Sequence, residues 1–321
     1  MIDKKTVIEN IPSALKSVNI RKFGKKHQGK VRDSYQVGEK RIIITTDRQS
    51  AFDRVLGFIP FKGQVLTQIS KFWFEKTEDI IQNHLISVPD PNVMLTKNCK
   101  VIPIEMVVRG YITGVTDTSI WGSYEKGERI IYGIKFPEGL SKNQKLPESV
   151  ITPTTKAEAG HDERLTEKEI LQKEIVTPKI WKEMKKAALA IFERGQKICQ
   201  KAGIILVDTK YEFGLDEKGK LILVDEVHTP DSSRYWIKKT YKERLKKGLE
   251  PESYDKEPLR IWFKEQGYTG KGKIPKMPPE FIAKMSMLYM SIFEKITGKK
   301  FVPDMSKNVT KRIKDNLSGV L

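Results

Sequence analysis

The sequence predicts an α+β protein of two domains, on three observations. The chain has 321 residues, enough for about two units of roughly 100–200 residues each. Two strand pairs with turn signals between their halves occur near residues 30–47 and 203–228. Long helical patterns separate and follow these pairs. The expected division is a mainly β N-terminal domain, 1–104, and a larger α+β domain, 105–321, with a hinge near Glu105–Gly110.

Each element has its own signal. Residues 1–17 read as a short amphipathic helix. "KVRDSYQV" and "KRIIITTD" are strands around the turn "GEK". "QVLTQISKFWFEKTEDIIQNH" places apolar residues at helical spacing. "NCKVIPIEMVVRGYITG" is strand-rich and ends at glycines. Residues 115–165 hold few periodic runs and many Gly, Pro, Ser and Thr, as a long functional loop does. Thr166 and Glu169 form a capping-box pattern, opening a helical stretch that runs to Gly203. "GIILVDTKYEFGL" and "KLILVDEV" then form an antiparallel hairpin about the turn Asp216–Gly219. The tail, 237–321, is helical and basic, interrupted by "KIPKMPPE".

Composition narrows the function. Hydrophobic residues make up 38% and charged residues 31%, with a net charge of +18. The lysines are interleaved with acids rather than clustered in a stripe, so a solvated face is expected and a nucleic-acid partner is not. Cys99 and Cys199 are far apart and show no disulfide framework or zinc spacing. His27, His84, His161 and His228 show no metal spacing. The first residues lack an apolar signal-peptide core, and no run approaches the roughly 18 apolar residues of a membrane helix. A cytoplasmic protein with reduced thiols, monomeric or homodimeric, is the expectation.

The chemistry concentrates in the second hairpin. Period-two alternation puts Asp208, Lys210 and Glu212 on one face and Val207, Thr209, Tyr211 and Phe213 on the other. The partner strand delivers Asp225 and Glu226 at its end. Carboxylates clustered beside one lysine repel unless a cation sits among them. Oxygen donors without His or Cys suit Mg²⁺ held by one or two carboxylates and substrate phosphates. Elsewhere, Gly29 precedes Lys30 and Arg32 at a strand entry, a place where backbone and cations approach a phosphate. No Walker loop or Rossmann fingerprint occurs. "TTDRQSAFD" offers Ser50 and Asp53 to sugar hydroxyls or ring nitrogens. Arg109 leaves an apolar strand and Arg234 follows small hydroxyl residues, each suited to an anion. Lys156, His161, Asp162 and Glu163 gather in one loop.

"GKVRDSY", "DRQSAFD", "EMVVRGYITG", "TPTTKAE…HDE", "VDTKYEFG" and "VDEVHTPDSSRYW" are similar, in order, to the motifs of the phosphoribosylaminoimidazole-succinocarboxamide synthase (SAICAR synthetase) family. The resemblance covers about residues 20–240. It implies a fold related to the protein-kinase and ATP-grasp arrangement, a small antiparallel β domain and a larger α+β domain with ATP between them. It implies an ATP- and Mg²⁺-dependent ligase of de novo purine synthesis. The substrates are L-aspartate and carboxyaminoimidazole ribotide, the products SAICAR, ADP and phosphate, and an acyl phosphate the intermediate.

The resemblance also implies residue roles. Lys30 and Arg32 are phosphate-side residues, and the backbone of Glu105, Met106 and Val107 meets adenine. Glu212 and Asp225 are Mg²⁺ ligands and Lys210 a phosphate partner; Asp208, on the same strand face by alternation, is counted with them as a catalytic candidate. Ser50, Asp53, Arg109 and Arg234 contact the ribotide, and Lys156, His161, Asp162 and Glu163 belong to a closing loop. Many members carry a Ser after the glycine equivalent to Gly114. Here Val115 stands there, leaving Thr116, Thr118 or Ser119 to supply the hydroxyl. No "HRD" or "DFG" motif of a protein kinase is present.

Overall fold

In the computed structural model, which describes residues 2–115, 118–156 and 162–319, both predicted strand pairs form. Helix α1 covers Lys4–Glu9, shorter than the amphipathic stretch 1–17. Pro12 lies just beyond it, and a residue before proline is disfavoured in the helical region. The antiparallel strands β1 (Lys26–Gln28), β2 (Arg32–Val37) and β3 (Lys40–Thr45) follow. A separate hairpin joins β4 (Arg48–Ala51) to β5 (Arg54–Phe58), with Phe52 and Asp53 at positive φ in its turn. Helix α2 spans Lys62–Thr77 and stops well short of His84. Strands β6 (Leu85–Asp90) and β7 (Val93–Lys97) complete a first sheet, ordered β1-β2-β3-β7-β6.

The chain crosses to the second sheet at Asn98 and Cys99. Strand β8 then runs without interruption over Lys100–Tyr111. The expected hinge, Glu105–Gly110, therefore lies inside a strand that is paired along its length, and a division at 104/105 would cut β8. An apolar strand ending at glycines reads in sequence like a boundary, whereas here it is the middle of a sheet.

The stretch 115–165 is not one long loop. It holds α3 (Ile120–Glu125), the short pair β9 (Ile130–Ile131) and β10 (Ile134–Lys135), then β11 (Lys145–Ile151) and β12 (Thr154–Thr155). Ile112, Ile120, Tyr124, Ile131 and Phe136 form a small core of its own.

Helix α4 (Glu167–Gln172) opens on the predicted capping box, with Thr166 and Glu169 bonded reciprocally. Helix α5 (Pro178–Lys201) leads into β13 (Ile204–Leu215), β14 (Leu221–Val224) and β15 (Ser233–Ile237). The second sheet is ordered β11-β8-β13-β14, with β12 on β8 and β15 on β13. Tyr211 and Phe213 of β13 are fully buried in the main core, whereas Val207, beside a register shift between Leu206 and Asp208, is buried in a separate cluster with Tyr111, Trp236 and Tyr241. Helix α5 packs on this strand. Each such side chain contributes about 1.5–3 kcal/mol by leaving water. The opposite, charged face of β13 is thereby fixed toward the first sheet.

The tail is helical as expected: α6 (Lys238–Lys246), α7 (Glu257–Glu265), α8 (Pro279–Thr297) and α9 (Val309–Ser318). Helix α8 packs on α1 and α2. Helix α9 docks on the first sheet, where Arg312 Nε donates to the fully buried Asp90 Oδ2 at 2.9 Å.

Candidate functional site

Register builds the site. Strand β13 places Glu212 opposite Glu105 of β8, and Asp208 opposite both Arg109 of β8 and Arg234 of β15. Like charges directly across a ladder are destabilising, so Glu105 and Glu212 need a cation. Lys210, two residues from Glu212 on the same face, supplies it. Its Nζ lies 3.0 Å from Glu105 Oε1, 2.5 Å from Glu212 Oε1 and 3.8 Å from Asp225 Oδ2. Lys156 pairs with the other oxygen of Glu212. Burial opposes the charge on Lys210, yet Glu212, Glu105 and Asp225 hold its pKa well above the ordinary lysine value.

Asp225 leaves β14 at φ 64°, a left-handed conformation rare for a residue with a side chain. That turn sends Asp225 and Glu226 toward the first sheet, where both meet Arg32 of β2. Arg32 Nη1 is 3.2 Å from Asp225 Oδ1, and its Nη2 pairs with Glu226. Burial disfavours a charged Asp225, but Arg32 and Lys210 outweigh it and push the carboxyl well below its usual range. Glu226 is bound further by Thr229 Oγ1 at 2.8 Å. Arg32 Nε is buried and has no hydrogen-bond partner among the described residues.

Asp208 belongs to a second group on the same strand. It accepts from Arg234 and lies 3.5 Å from Arg109 Nη1. Arg109 Nε donates to Thr152 Oγ1 at 2.8 Å and its Nη2 to the Thr118 carbonyl at 3.1 Å. Gly114, at φ 90°, lets the chain pass close by. A Cβ there would stand 2.8 Å from Ser119 Cβ and 3.3 Å from Arg234 Nη2. Of the three hydroxyls considered in place of Val115, Ser119 is thus the one set beside Arg234. Thr116 lies outside the described residues, and the Thr118 carbonyl faces Arg109.

The remaining predicted residues are distributed as follows. Lys30, in the turn closed by Gly29 N on Arg32 O at 2.8 Å, pairs with Asp53 at the tip of the β4–β5 hairpin. Ser50 is buried in β4. Asp162 and Glu163 are exposed, and Glu163 N donates to Thr155 Oγ1 at 2.9 Å. His161 lies outside the described residues. The backbone of Glu105, Met106 and Val107, expected to meet adenine, is taken up by the sheet on both sides. These residues register with Lys210–Glu212 on one edge, and Thr154 pairs with Glu105 while Thr152 N donates to Val107 O at 2.8 Å on the other. Met106 is fully buried, which leaves the Glu105 carboxylate as the group this segment presents.

Sequence reasoning missed a third group. Lys62, wholly buried at the start of α2, lies 2.8 Å from Asp231 Oδ2, and Lys256 lies 3.2 Å from the same oxygen. Tyr289 OH donates to Asp231 Oδ1 at 2.6 Å. A signal did exist: a lysine in the first turn of a helix opposes the macrodipole and calls for an anion.

With this geometry in place, comparison with known proteins decides the family. The SAICAR synthetase family pattern matches residues 25–277. The chain belongs to the SAICAR synthetase family. A phosphoribosylaminoimidazole-succinocarboxamide synthase of Legionella pneumophila is 52% identical over 297 residues, 92% of this chain and 95% of the relative. A putative second synthase of Agrobacterium fabrum is 50% identical over 91% of this chain and 93% of its own length. The SAICAR-synthase of Saccharomyces cerevisiae, solved with SAICAR, superimposes with a TM-score of 0.79 at 32% identity, covering 90% of this chain and all of that one. A SAICAR synthetase solved with ADP gives 0.67 at 25% identity over 87% of this chain and all of that one. The α+β fold is that of the family, and the protein is an ATP-dependent ligase of purine biosynthesis that joins aspartate to carboxyaminoimidazole ribotide.

Among the described residues, no three His, Cys, Asp or Glu side chains stand ready as a metal cage. The donor set around Lys210 Nζ is nonetheless all oxygen and already accommodates a cation, which fits Mg²⁺ completed by phosphate oxygens.

Proposed function

We propose that the three groups divide the reaction among them. Glu212 and Asp225 hold the metal, with Glu105 beside them; Mg²⁺ bound there would draw charge from the transferring phosphoryl group. Lys30, Arg32 and Lys210 take the nucleotide phosphates, Arg32 through the buried Nε that has no partner among the described residues. Arg109 and Arg234 share the one carboxylate of Asp208, which leaves net positive charge for the ribotide phosphate, with Ser119 adding a hydroxyl. Ser50 and Asp53 sit toward the ribotide, and Lys156, Asp162 and Glu163 toward the closing side.

The ribotide carboxylate is a weak electrophile. Attack of its oxygen on the γ-phosphorus makes an acyl phosphate and releases ADP. The aspartate amine then attacks the acyl carbon, phosphate leaves, and the amide remains. Little covalent chemistry falls to the protein, so positioning and charge stabilisation dominate. The cytoplasmic location belongs to this proposal and accords with two free thiols, although plant relatives are named chloroplastic.

The observation that carries the reading is the convergence of Glu105, Glu212 and Asp225 on one ammonium. Mn²⁺ binding followed by electron paramagnetic resonance, with ADP present, tests it. Glu212→Gln and Asp225→Asn should each weaken binding at least about tenfold, the loss of one charged ligand. Unchanged binding in both would overturn the assignment.

A further inference from the structure

The co-substrate of this ligase carries two carboxylates, and none of the groups assigned so far is free to take them. Arg32, Lys210 and Lys156 face four carboxylates, those of Glu105, Glu212, Asp225 and Glu226. With the metal bound there, that group is given to the nucleotide phosphates. Arg109 and Arg234 are given to the ribotide phosphate.

The Lys62, Lys256 and Asp231 group sets two lysines against one carboxylate in direct contact, with Asp47 and Glu226 acting on Lys62 from farther off. Two ammonium groups share one carboxylate oxygen, and the other oxygen of Asp231 is occupied by Tyr289 OH. Lys62 is wholly buried and Lys256 is 8% exposed, so water does little to screen the excess. Lys62 is the first residue of α2 and Lys256 directly precedes α7, so both lysines stand at the positive ends of helices. Lys62 Nζ also donates to the Arg48 carbonyl at 3.0 Å. Among the described residues Lys256 Nζ contacts Asp231 alone, which leaves N–H groups to donate. The crowding registers on Lys62, whose pKa is lowered by burial and by Lys256 to about 8 against the pull of Asp231.

The group is also linked to the acids at Arg32. Thr229 Oγ1 donates to Glu226 Oε2 at 2.8 Å and accepts from Asp231 N at 3.2 Å. One hydroxyl thus joins the acids at Arg32 to this pole.

We propose that Lys256 and Lys62 receive a carboxylate of the amine-bearing dicarboxylate substrate, L-aspartate, with Asp231 and Tyr289 holding the two ammonium groups in place. The proposal rests on the ligase reading above.

The test is steady-state ADP release at saturating ATP and ribotide with aspartate varied. Lys256→Gln should raise the aspartate KM about 10–100-fold, the loss of a charge-assisted hydrogen bond. The KM for ATP and ribotide should stay within about threefold, the usual range for a site not in contact. Lys256→Met carries the same expectation should the glutamine variant not fold, and Lys256→Arg should recover most of the affinity. Succinate should compete with aspartate, and more weakly in Lys256→Gln. An unchanged aspartate KM, or an equal rise for the ribotide, overturns the assignment while wild-type turnover leaves the ligase reading intact. Absence of aspartate-dependent ADP release in the wild type would sink both.

Discussion

Glu105 and Glu212 stand directly opposite each other in the β8–β13 ladder, and Lys210 Nζ bridges them at 3.0 and 2.5 Å. Two facing acids are tolerated only because the same strand brings a cation between them. Removing that cation tests the arrangement. Lys210→Met should lower kcat by at least about 100-fold, a loss typical of a preorganised charge at a reacting group. It should also lower the metal concentration needed, as the acids are left without the cation that competes for them. ADP release titrated with Mg²⁺ checks both.

Asp225→Asn keeps the shape of the side chain, and Asn tolerates the left-handed backbone that this position adopts at φ 64°. Turnover should fall by at least about 100-fold while the circular dichroism spectrum stays that of the wild type. Near-normal activity at saturating Mg²⁺ would remove Asp225 from the metal.

Arg234 and Arg109 share Asp208, so losing one strands little charge but halves the anion pole. Arg234→Ala should raise the ribotide KM about 10–100-fold and the ATP KM far less. Ser119→Ala should raise the ribotide KM more mildly, by about 3–10-fold, as for one neutral hydrogen bond. Equal changes for both substrates would argue against these assignments.

The pH dependence of stability follows from two buried histidines. Burial lowers His84 to about 4 and His228 to about 3, so both are neutral in the fold and take up protons more readily once unfolded. Stability should therefore fall as pH drops from about 6.5 toward 4, by up to about 1.4 kcal/mol per pH unit for each histidine. Asp47 and Asp255, raised by burial to about 6, act in the opposite sense, favouring the fold below that pH. His228→Asn, compatible with φ 47° at that site, should flatten the loss. Urea midpoints between pH 4 and 7 measure it.

Much of the site was legible because β13 alternates in residue type over Asp208–Phe213. Asp208, Lys210 and Glu212 against Tyr211 and Phe213 separate a charged face from an apolar one, although Asp208 and Glu212 are themselves buried and a register shift beside Val207 interrupts the period. The capping box at Thr166 was equally local. What escaped depends on partners distant in sequence. Lys62, Lys256 and Tyr289 are single residues in helical or loop surroundings, and only the fold brings them to Asp231. The hinge escaped for another reason. Apolar β8 residues ending at Gly110 look the same in sequence whether the strand ends a domain or crosses a sheet, and only the pairing with β11, β12 and β13 decides.

Alternation groups Asp208 with the acids on the same face of β13. The sheet shows why that grouping splits. Its cross-strand neighbours on both sides are arginines, whereas those of Glu212 are Glu105 and Val224. One strand face thus carries two poles of opposite sign.

The most direct test of this division of labour is ADP release by the purified protein with each reactant omitted in turn. Release should require Mg²⁺, the ribotide and aspartate together, and should fall by at least about 100-fold in Glu212→Gln. ADP release that continues undiminished without aspartate and the ribotide, or in Glu212→Gln, would contradict the account.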